Sequence, residues 1–218
     1  MENITRPFTY VFEDKGWPKK IALGAVFVLL SFAVIGVPFV LGYVLEAIRR
    51  IRRGEETPLP EWDNLDGKFV DGLKLFGVAF MYAIAFAILR VIAGVIPVLG
   101  GVVALLLTLV FVLALMYVMV RYADTCDVVD ALDPRHIVED VPRAPAEYAV
   151  AVVVALAASL VSAAGLIAFV IGVCFTAFYG KLIVAHAAAH AYTAARGKPE
   201  LLPEPQDEAE PERPEQEE

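Results

Sequence analysis

The chain has 218 residues, of which 59% are hydrophobic and 20% are charged, so it is more apolar than an average soluble protein. The whole net charge of −8 lies in residues 199–218, where nine acids face one base, while residues 1–198 are neutral. This balance excludes an ordinary soluble domain and a nucleic-acid binder, and two cysteines are too few for a disulfide framework. We predict an all-α polytopic integral membrane protein with a membrane domain over residues 1–198 and a disordered acidic tail over 199–218.

Five apolar runs follow one another along the chain, and most are long enough to cross the hydrocarbon core as helices. The second and third meet at a Pro–Gly turn around residues 96–101, and the fourth and fifth meet around Gly165, without a charge at either junction. These four runs predict two helical hairpins. The first run is too long for the apolar core of a signal peptide and no cleavage site follows it, so we expect it to be retained. The runs cover residues 21–45, 73–96, 100–120, 148–164 and 166–189.

Outside the apolar runs, Lys and Arg lie in the N-terminal segment, the first loop, the middle loop and the C-terminal end, and they are missing from both predicted apices. Positively charged loops remain in the cytoplasm. The distribution therefore predicts a multi-pass protein of the cell membrane with cytoplasmic loops, a cytoplasmic C-terminus and two outer apices.

The first run permits two topologies. A single kinked crossing would place the four bases of the N-terminal segment outside, against the rule for positive charge. A re-entrant hairpin with its bend at residues 36–38, Gly-Val-Pro, would keep every basic segment inside, because Pro38 interrupts the helix and Gly36 supplies flexibility. Trp17 and Trp62 flank the run on the loop side, which also suits an anchor at one face.

Two amphipathic pieces lie between the runs. Residues 64–72 follow the good N-cap residues Asp63 and Asn64, and a short helix after Pro134 carries Ile137, Val138 and Val141 on one side. The fourth and fifth runs also carry small residues at four-residue spacing, which favours close packing of the two helices. These small residues are Ala151, Ala155, Ser159 and Ala163 in the fourth run and Ala168, Gly172, Thr176 and Gly180 in the fifth.

A family resemblance is carried chiefly by residues 41–74. It comprises Leu41-Gly42-Tyr43, Ile48-Arg49-Arg50, Arg53-Gly54-Glu55-Glu56, Leu59-Pro60-Glu61-Trp62-Asp63 and Phe69-Val70-Asp71-Gly72-Leu73-Lys74, preceded by Asp14-Lys15-Gly16-Trp17. These segments resemble the prokaryotic membrane family named domain of unknown function 4013, and the acidic tail resembles those of its haloarchaeal members. The resemblance implies an integral membrane protein. It implies no reaction, ligand or functional residue.

An arginine cluster and an aspartate stripe are the most charged candidate sites. Arg49, Arg50, Arg52 and Arg53 follow the first run directly, where arginines set topology and contact anionic lipid headgroups. Asp124, Asp127, Asp130 and Asp133 recur every third residue as the third run ends. Three-residue steps drift around a helix, so we expect a solvated face or a contact with the arginine cluster rather than one cation site.

Three further residues are candidates on weaker patterns. Arg90 lies well inside the second run, where a charge costs about 2.5–3.5 kcal/mol unless it reaches the membrane surface. It is either a snorkelling residue or a functional intramembrane charge. His186 and His190 are four residues apart and could face one metal, although this spacing alone is a weak metal signature and packing explains it as well.

Three hypotheses for function follow. The first is a non-enzymatic membrane scaffold, because nearly all charge lies on one face and no catalytic signature is present. The second is a transporter or channel subunit, and the third is an interfacial enzyme that uses the aspartate stripe and the two histidines. We expect no cofactor and no nucleic acid, and we expect the bilayer, anionic headgroups and a second copy or another membrane protein as partners. The polar residues available to a transporter are Arg90, Tyr82, Thr108, Ser159, Ser162 and Thr176.

Overall fold

The computed structural model describes residues 5–31, 34–55, 59–94, 99–164 and 169–198, and the acidic tail lies outside the described residues. Within these ranges the chain is helical and contains no strand. The helices are α1 (Arg6–Thr9), α2 (Trp17–Leu30), α3 (Gly36–Arg53), α4 (Leu65–Gly94), α5 (Leu99–Thr125), α6 (Val128–Leu132), α7 (Arg135–Asp140), α8 (Pro145–Ala164) and α9 (Phe169–Arg196), with 3-10 turns at Tyr10–Glu13 and Val141–Arg143.

Four helices of the described chain are long and apolar enough to cross a membrane, as predicted. They are α4, α5, α8 and α9, which carry the second to fifth apolar runs. Their 20 to 30 residues correspond to about 30 to 45 Å of helix. Large apolar side chains on their outer surfaces have no protein cover, and Val91 and Leu160 are more than 70% exposed. Exposed apolar surface of this kind is typical of a site that contacts lipid or another protein.

The first apolar run forms two helices that fold back on each other. Trp62 is the marker: its Nε1 donates to the carbonyl of Lys20 at 2.9 Å, and its ring stacks on Tyr43 with centroids 4.3 Å apart. In one continuous helix Lys20 and Tyr43 would lie about 35 Å apart. The first run is therefore a helical hairpin and not one continuous helix, and its bend lies between Leu30 and Gly36, ahead of the predicted bend at residues 36–38. Pro38 lies in the first turn of α3, where its missing amide hydrogen costs no helical hydrogen bond. Re-entry of this hairpin at one face of a membrane stays a prediction.

The hairpin bend combines a close approach with exposed apolar side chains. A Cβ on Gly36 would lie 2.0 Å from the carbonyl oxygen of Phe27, so only glycine allows α3 to begin against the last turns of α2. Val34 sits at φ 66, in the left-handed region that β-branched residues rarely adopt. Leu29 and Ile35 are exposed at the bend, which suits a hairpin whose tip enters lipid.

The amphipathic pieces depart partly from the prediction. Residues 64–72 are not a separate segment: α4 begins at Leu65 and continues without a break into the spanning helix. The reason is that Lys68 and Gly72 are buried against α3, so this face needs no headgroup contact. The helix after Pro134 is present as α7, where Ile137 and Val141 pack on the core and Val138 is exposed.

Helices α8 and α9 pack closely through small residues. Thr176 Oγ1 donates to the carbonyl of Ser162 at 3.0 Å, and a Cβ on Gly180 would lie 2.3 Å from Ser162 Oγ. The buried stripe on α8 is Ala151, Ala155 and Ala158, whereas the predicted Ser159 and Ala163 are exposed. Four-residue steps advance 400° in a helix of 3.6 residues per turn, so the contact face shifts back by one residue.

Helices α3 and α4 cross through two glycines. A Cβ on Gly42 would lie 1.9 Å from the carbonyl oxygen of Lys68, and one on Gly72 would lie 1.8 Å from that of Pro38. The backbones therefore touch at this crossing, and it fixes the hairpin against the first spanning helix.

The close crossing of α3 and α4 predicts that alanine destabilises the protein at Gly42 but not at Gly77. Gly42→Ala forces α3 away from α4, and we expect the free energy of unfolding to fall by about 1–3 kcal/mol or more. Gly77→Ala is the matched control, since a Cβ there meets nothing within 4 Å. Thermal unfolding in detergent measures both; equal melting temperatures for the two variants would contradict the close approach.

Candidate functional site on the loop-side face

The ends of the long helices converge on one end of the bundle, which we call the loop-side face. It comprises the end of α3, the start of α4, the end of α5, α6, α7, the start of α8 and the end of α9. Arg52 shows the convergence, because its guanidinium pairs with Asp124 of α5, lies 4.7 Å from the ring centre of Tyr192 on α9, and donates to the carbonyl of Gly197 at 3.3 Å. Only 4% of its side chain is exposed.

The rest of the arginine cluster is also engaged within the protein. Arg49 donates to Asp71 Oδ2 at 2.9 Å and to the carbonyl of Ala123 at 3.1 Å, which joins α3, α4 and α5. Arg50 pairs with Glu46 at 3.0 Å on its own helix. Arg53 is the most open of the four, with 57% of its side chain exposed. A lipid-contact role for the cluster stays a prediction, and Arg53 is the member best placed for it.

The four residues of the aspartate stripe each contact a different partner. Asp124 pairs with Arg52, as one of the two interpretations held. Asp130 accepts two hydrogen bonds from Arg121, at 2.5 and 2.6 Å. Asp127 caps α6 by accepting from the Val129 amide at 2.8 Å, and Asp133 accepts from the Arg135 amide at 2.9 Å. The four carboxylates thus point to different partners, and no group of three or more potential metal ligands is found among the described residues.

Asp140 is the most buried charge of the loop-side face, with no exposed surface. Its carboxylate accepts from Tyr117 at 2.5 Å and from Arg143 at 2.6 Å, and it also pairs with Arg196 at the end of α9. Burial alone would raise the pKa of Asp140, but the hydrogen bonds from Tyr117 and Arg196 outweigh it and hold the pKa below its usual 3.8. One carboxylate thereby ties α7 to α5 and α9.

A polar cleft of about 350 Å³ opens between α3 and α4, within the segment that carries the family resemblance. Lys68 lies in it, 2.7 Å from Glu46 and 2.9 Å from Asp63. Arg49 and Asp71 form the second ion pair of the lining. The lining therefore holds three acids and two bases, and every one of them takes part in an ion pair. These ion pairs hold the crossing of α3 and α4.

A second buried ion pair anchors the N-terminal segment. Lys20 at the start of α2 lies 2.8 Å from Asp14 and 2.7 Å from Glu61, and it donates to the carbonyl of Leu59 at 2.9 Å. Burial of Asp14 would raise its pKa, but the hydrogen bond from Lys20 prevails and lowers it. These contacts fix α2 against the segment that follows α3.

The remaining candidates lie apart from one another. The rings of His186 and His190 are 5.5 Å apart, and His186 packs 4.7 Å from the ring of Tyr10. Arg90 Nη1 donates to Thr108 Oγ1 at 2.8 Å, between α4 and α5 near their apex. Among the described residues no three His, Cys, Asp or Glu side chains come together in a group that could hold a metal ion. The structure therefore does not bring the two histidines and the aspartate stripe into one site.

Sequence reasoning missed Lys68, Asp140 and Lys181. The first two carry a readable signal: Lys68 lies seven residues before Leu75 on the same helical face, and Asp140 lies three residues after Ile137. A charge on the apolar face of an amphipathic helix indicates a buried pair. Lys181 is a charge inside the fifth run, where the sequence pattern singled out only Arg90 of the second run as an intramembrane charge.

Comparison with known proteins gives one family. Residues 25–177, more than half of the chain, match the model of a family described as protein of unknown function (DUF4013). The matched range runs from α2 into α9 and includes the α3–α4 cleft and Asp140. No curated protein and no solved structure matches the chain.

Because Asp140 is buried, we expect even its conservative replacement by Asn to lower the free energy of unfolding substantially. Asp140→Asn removes the charge but keeps the shape, leaving Arg196 without its counter-ion, and we expect a loss of about 3–5 kcal/mol in the free energy of unfolding. Asp127→Asn is the control with the same charge change, because Asn caps a helix as well as Asp does. Chemical denaturation in detergent compares them. A near-neutral Asp140→Asn would contradict the role of this carboxylate.

The carboxylates predict acid sensitivity. The Arg121 hydrogen bonds lower the pKa of Asp130, and the pKa of Asp14 and of Asp140 is also below the usual 3.8. Groups with a lowered folded-state pKa contribute their full stability above pH 3.8 and lose it as the pH falls below that value, because the unfolded chain then binds more protons. We expect the melting temperature to drop steeply below about pH 4, and less steeply in Asp140→Asn. A parallel drop in both proteins would show that Asp140 does not contribute.

Proposed function

The chain belongs to the DUF4013 family of proteins of unknown function, and we propose that it is a non-enzymatic membrane scaffold. In this role a bundle of helices embedded in lipid holds a charged face in a fixed arrangement and presents it to partners on one side of the membrane. Support for the membrane part comes from four helices of spanning length with largely exposed apolar surfaces.

The observation that carries the proposal is how the polar groups are used. On the loop-side face, Arg49, Arg52, Arg121 and Asp140 each link different helices through ion pairs. Between the spanning helices, Arg90 with Thr108 and Ser162 with Thr176 each hydrogen-bond within one helical pair. Catalysis needs perturbed groups left free to react, whereas a scaffold needs charges that fix helices relative to one another.

The transporter hypothesis receives less support. Its candidate residues belong to three separate contacts: Arg90 with Thr108 between α4 and α5, Ser162 with Thr176 between α8 and α9, and Tyr82 with carbonyls of α6 at 3.4 Å. A carrier would need such groups to converge near the midplane. Their separation favours structural roles.

The proposal includes an orientation with the loop-side face in the cytoplasm. The positive charges between the hairpins support it. The N-terminal segment lies at the same end as the other loops through the buried ion pair of Lys20, and Gly197 at the C-terminal end contacts Arg52. An even number of crossings with a re-entrant first hairpin accounts for both termini on one side.

Exposed apolar residues on the loop-side face are the proposed contact points for a partner. Val129 of α6 and Val138 of α7 are 76% and 74% exposed. Each sits on a short helix whose other side packs on the core. Apolar residues surrounded by charged ones are typical of protein interfaces.

Site-specific photo-crosslinking in cells tests the scaffold. A photoreactive amino acid at Val129 or Val138 should give discrete protein adducts, because these side chains face a partner. The same amino acid at Leu160 of α8, equally exposed but facing lipid, should give only lipid adducts. Leu160 is thus the matched control for exposure and hydrophobicity.

The proposal fails if neither loop-side position yields a protein adduct while the purified protein, reconstituted in liposomes, conducts ions or solutes above empty vesicles. Arg90→Leu separates the hypotheses further. In a scaffold it leaves crosslinking unchanged, whereas in a transporter that uses this charge it abolishes the flux.

Cysteine accessibility tests the orientation. With Cys174 replaced by Ala, an impermeant maleimide should label Gly94→Cys in intact cells, because Gly94 ends α4 and has open space around its Cβ. Thr5→Cys and the exposed native Cys126 should label only after permeabilisation. Labelling of Thr5→Cys from outside would eliminate the re-entrant topology.

A further inference from the structure

A groove of about 420 Å³ lies where α3, α5, α8 and α9 meet, and it contains one cation. Its walls are mostly apolar, with Leu41 from α3, Met119 from α5 and Val184 from α9. Lys181 of α9 and Ser159 of α8 line the same groove, and both are exposed at the protein surface. The groove is large enough for a small ligand or one hydrocarbon chain and is open to whatever surrounds the bundle.

Lys181 differs from four other cations of the helical bundle in having no partner. Lys20, Lys68, Arg52 and Arg90 each have a partner, whereas the described residues give Lys181 neither an ion pair nor a hydrogen bond. An ammonium group among apolar side chains is costly unless an anion or water accompanies it. The described protein supplies no anion at this position.

The neighbours of Lys181 place it at the polar boundary of the bundle. Tyr179 donates its hydroxyl to the carbonyl of Phe8, and Tyr10 donates to the carbonyl of Leu182 at 2.9 Å. The polar N-terminal segment therefore contacts α9 immediately before and after Lys181.

We propose that this groove binds one anionic phospholipid, with its phosphate on the ammonium of Lys181 and an acyl chain along Leu41, Met119 and Val184. Charge complementarity supports this occupant, because a single unpaired cation stands at one place in an otherwise apolar groove. The surrounding lipid reaches it directly, since Leu156 and Leu160 on the adjacent surface of α8 are exposed. Ser159 already donates to the carbonyl of Ala155 at 2.8 Å, so the ammonium is the free donor.

A lipid fits this groove better than a protein segment does. A second chain would have to carry an unpaired carboxylate through hydrocarbon to reach Lys181, at considerable cost. A lipid phosphate already lies at this boundary, and its chains need no hydrogen bonds. The inference is independent of the scaffold role, because a bound lipid is compatible with any function of the bundle.

Native mass spectrometry of the full-length protein tests the site. The protein in detergent is titrated with phosphatidylglycerol or phosphatidylcholine of the same chain length. For the wild type we expect the first phosphatidylglycerol adduct to form at lower lipid concentration than the phosphatidylcholine adduct. Lys181→Met keeps the aliphatic stem and should weaken the first phosphatidylglycerol adduct about fivefold, whereas Lys181→Arg should retain it. Lys74→Met, which removes an exposed lysine of α4, is the control and should bind like the wild type.

A second variant and two contrary results complete the test of the lipid site. Ser159→Leu fills the groove without touching the charge and should also weaken the adduct, which keeps the test valid if Lys181→Met yields poorly folded protein. Equal phosphatidylglycerol binding by the wild type, Lys181→Met and Ser159→Leu overturns the proposal. A dimer that is lost in Lys181→Met without any change in lipid binding also overturns it, in favour of a contact between copies of the chain.

Discussion

Hydrocarbon cannot donate or accept a hydrogen bond, and this one constraint accounts for most of the architecture. Backbone groups within the spanning helices must be satisfied internally, which explains the helical fold. Helices gain nothing from hiding apolar surface from lipid, so they associate where small residues let backbones touch. The Gly42–Gly72 crossing and the Ser162–Thr176–Gly180 contact are two such places. Charges are driven to one end of the bundle, where they pair.

The paired charges matter more for geometry than for total stability. A buried ion pair loses about as much free energy in desolvation as it recovers in attraction, so the pairs of Arg52 and Asp140 do not make the bundle unusually stable. They do restrict how its helices can be arranged. Arg52 reaches α5 and α9 at once, and Asp140 reaches α5 and α9 from α7. Any rotation or sliding of one helix would leave a buried charge alone, which is a strong penalty against alternative packings.

Hydropathy predicted the fold class and the four helices of spanning length, because each depends on many residues that face the same solvent. The family was predicted from the resemblance of segments within residues 41–74. The small-residue stripe was displaced by one residue on α8, since Ser159 and Ala163 obey a four-residue spacing that a helix does not maintain. The start of α4 was placed too late, because Lys68 hides its charge against Glu46 and Asp63, partners that no local pattern reveals.

The candidate site was predictable only in part, for the same reason. The contact between the arginine cluster and the aspartate stripe was one of the alternatives, and Arg52 with Asp124 realises it. Which arginine meets which aspartate depends on how α3 crosses α4 and α5, and this follows from backbone contact at glycines rather than from charge. Asp140 was passed over because its partners Tyr117 and Arg196 lie on other helices, distant in the chain.

The spanning helices differ in length: α4 has 30 residues and α8 has 20, a difference of about 15 Å at 1.5 Å per residue. No single bilayer thickness matches both when they stand upright. The extra length of α4 is at its first turns, which carry the charged residues Asp66, Lys68 and Asp71. Charged groups are costly in hydrocarbon, so we expect these turns to lie outside the membrane core. Because Gly72 holds α3 against this end of α4, the position of the hairpin along α4 is fixed by the crossing. We therefore expect a thicker or thinner bilayer to be matched by tilt of the α4–α5 pair and not by a shift of the hairpin.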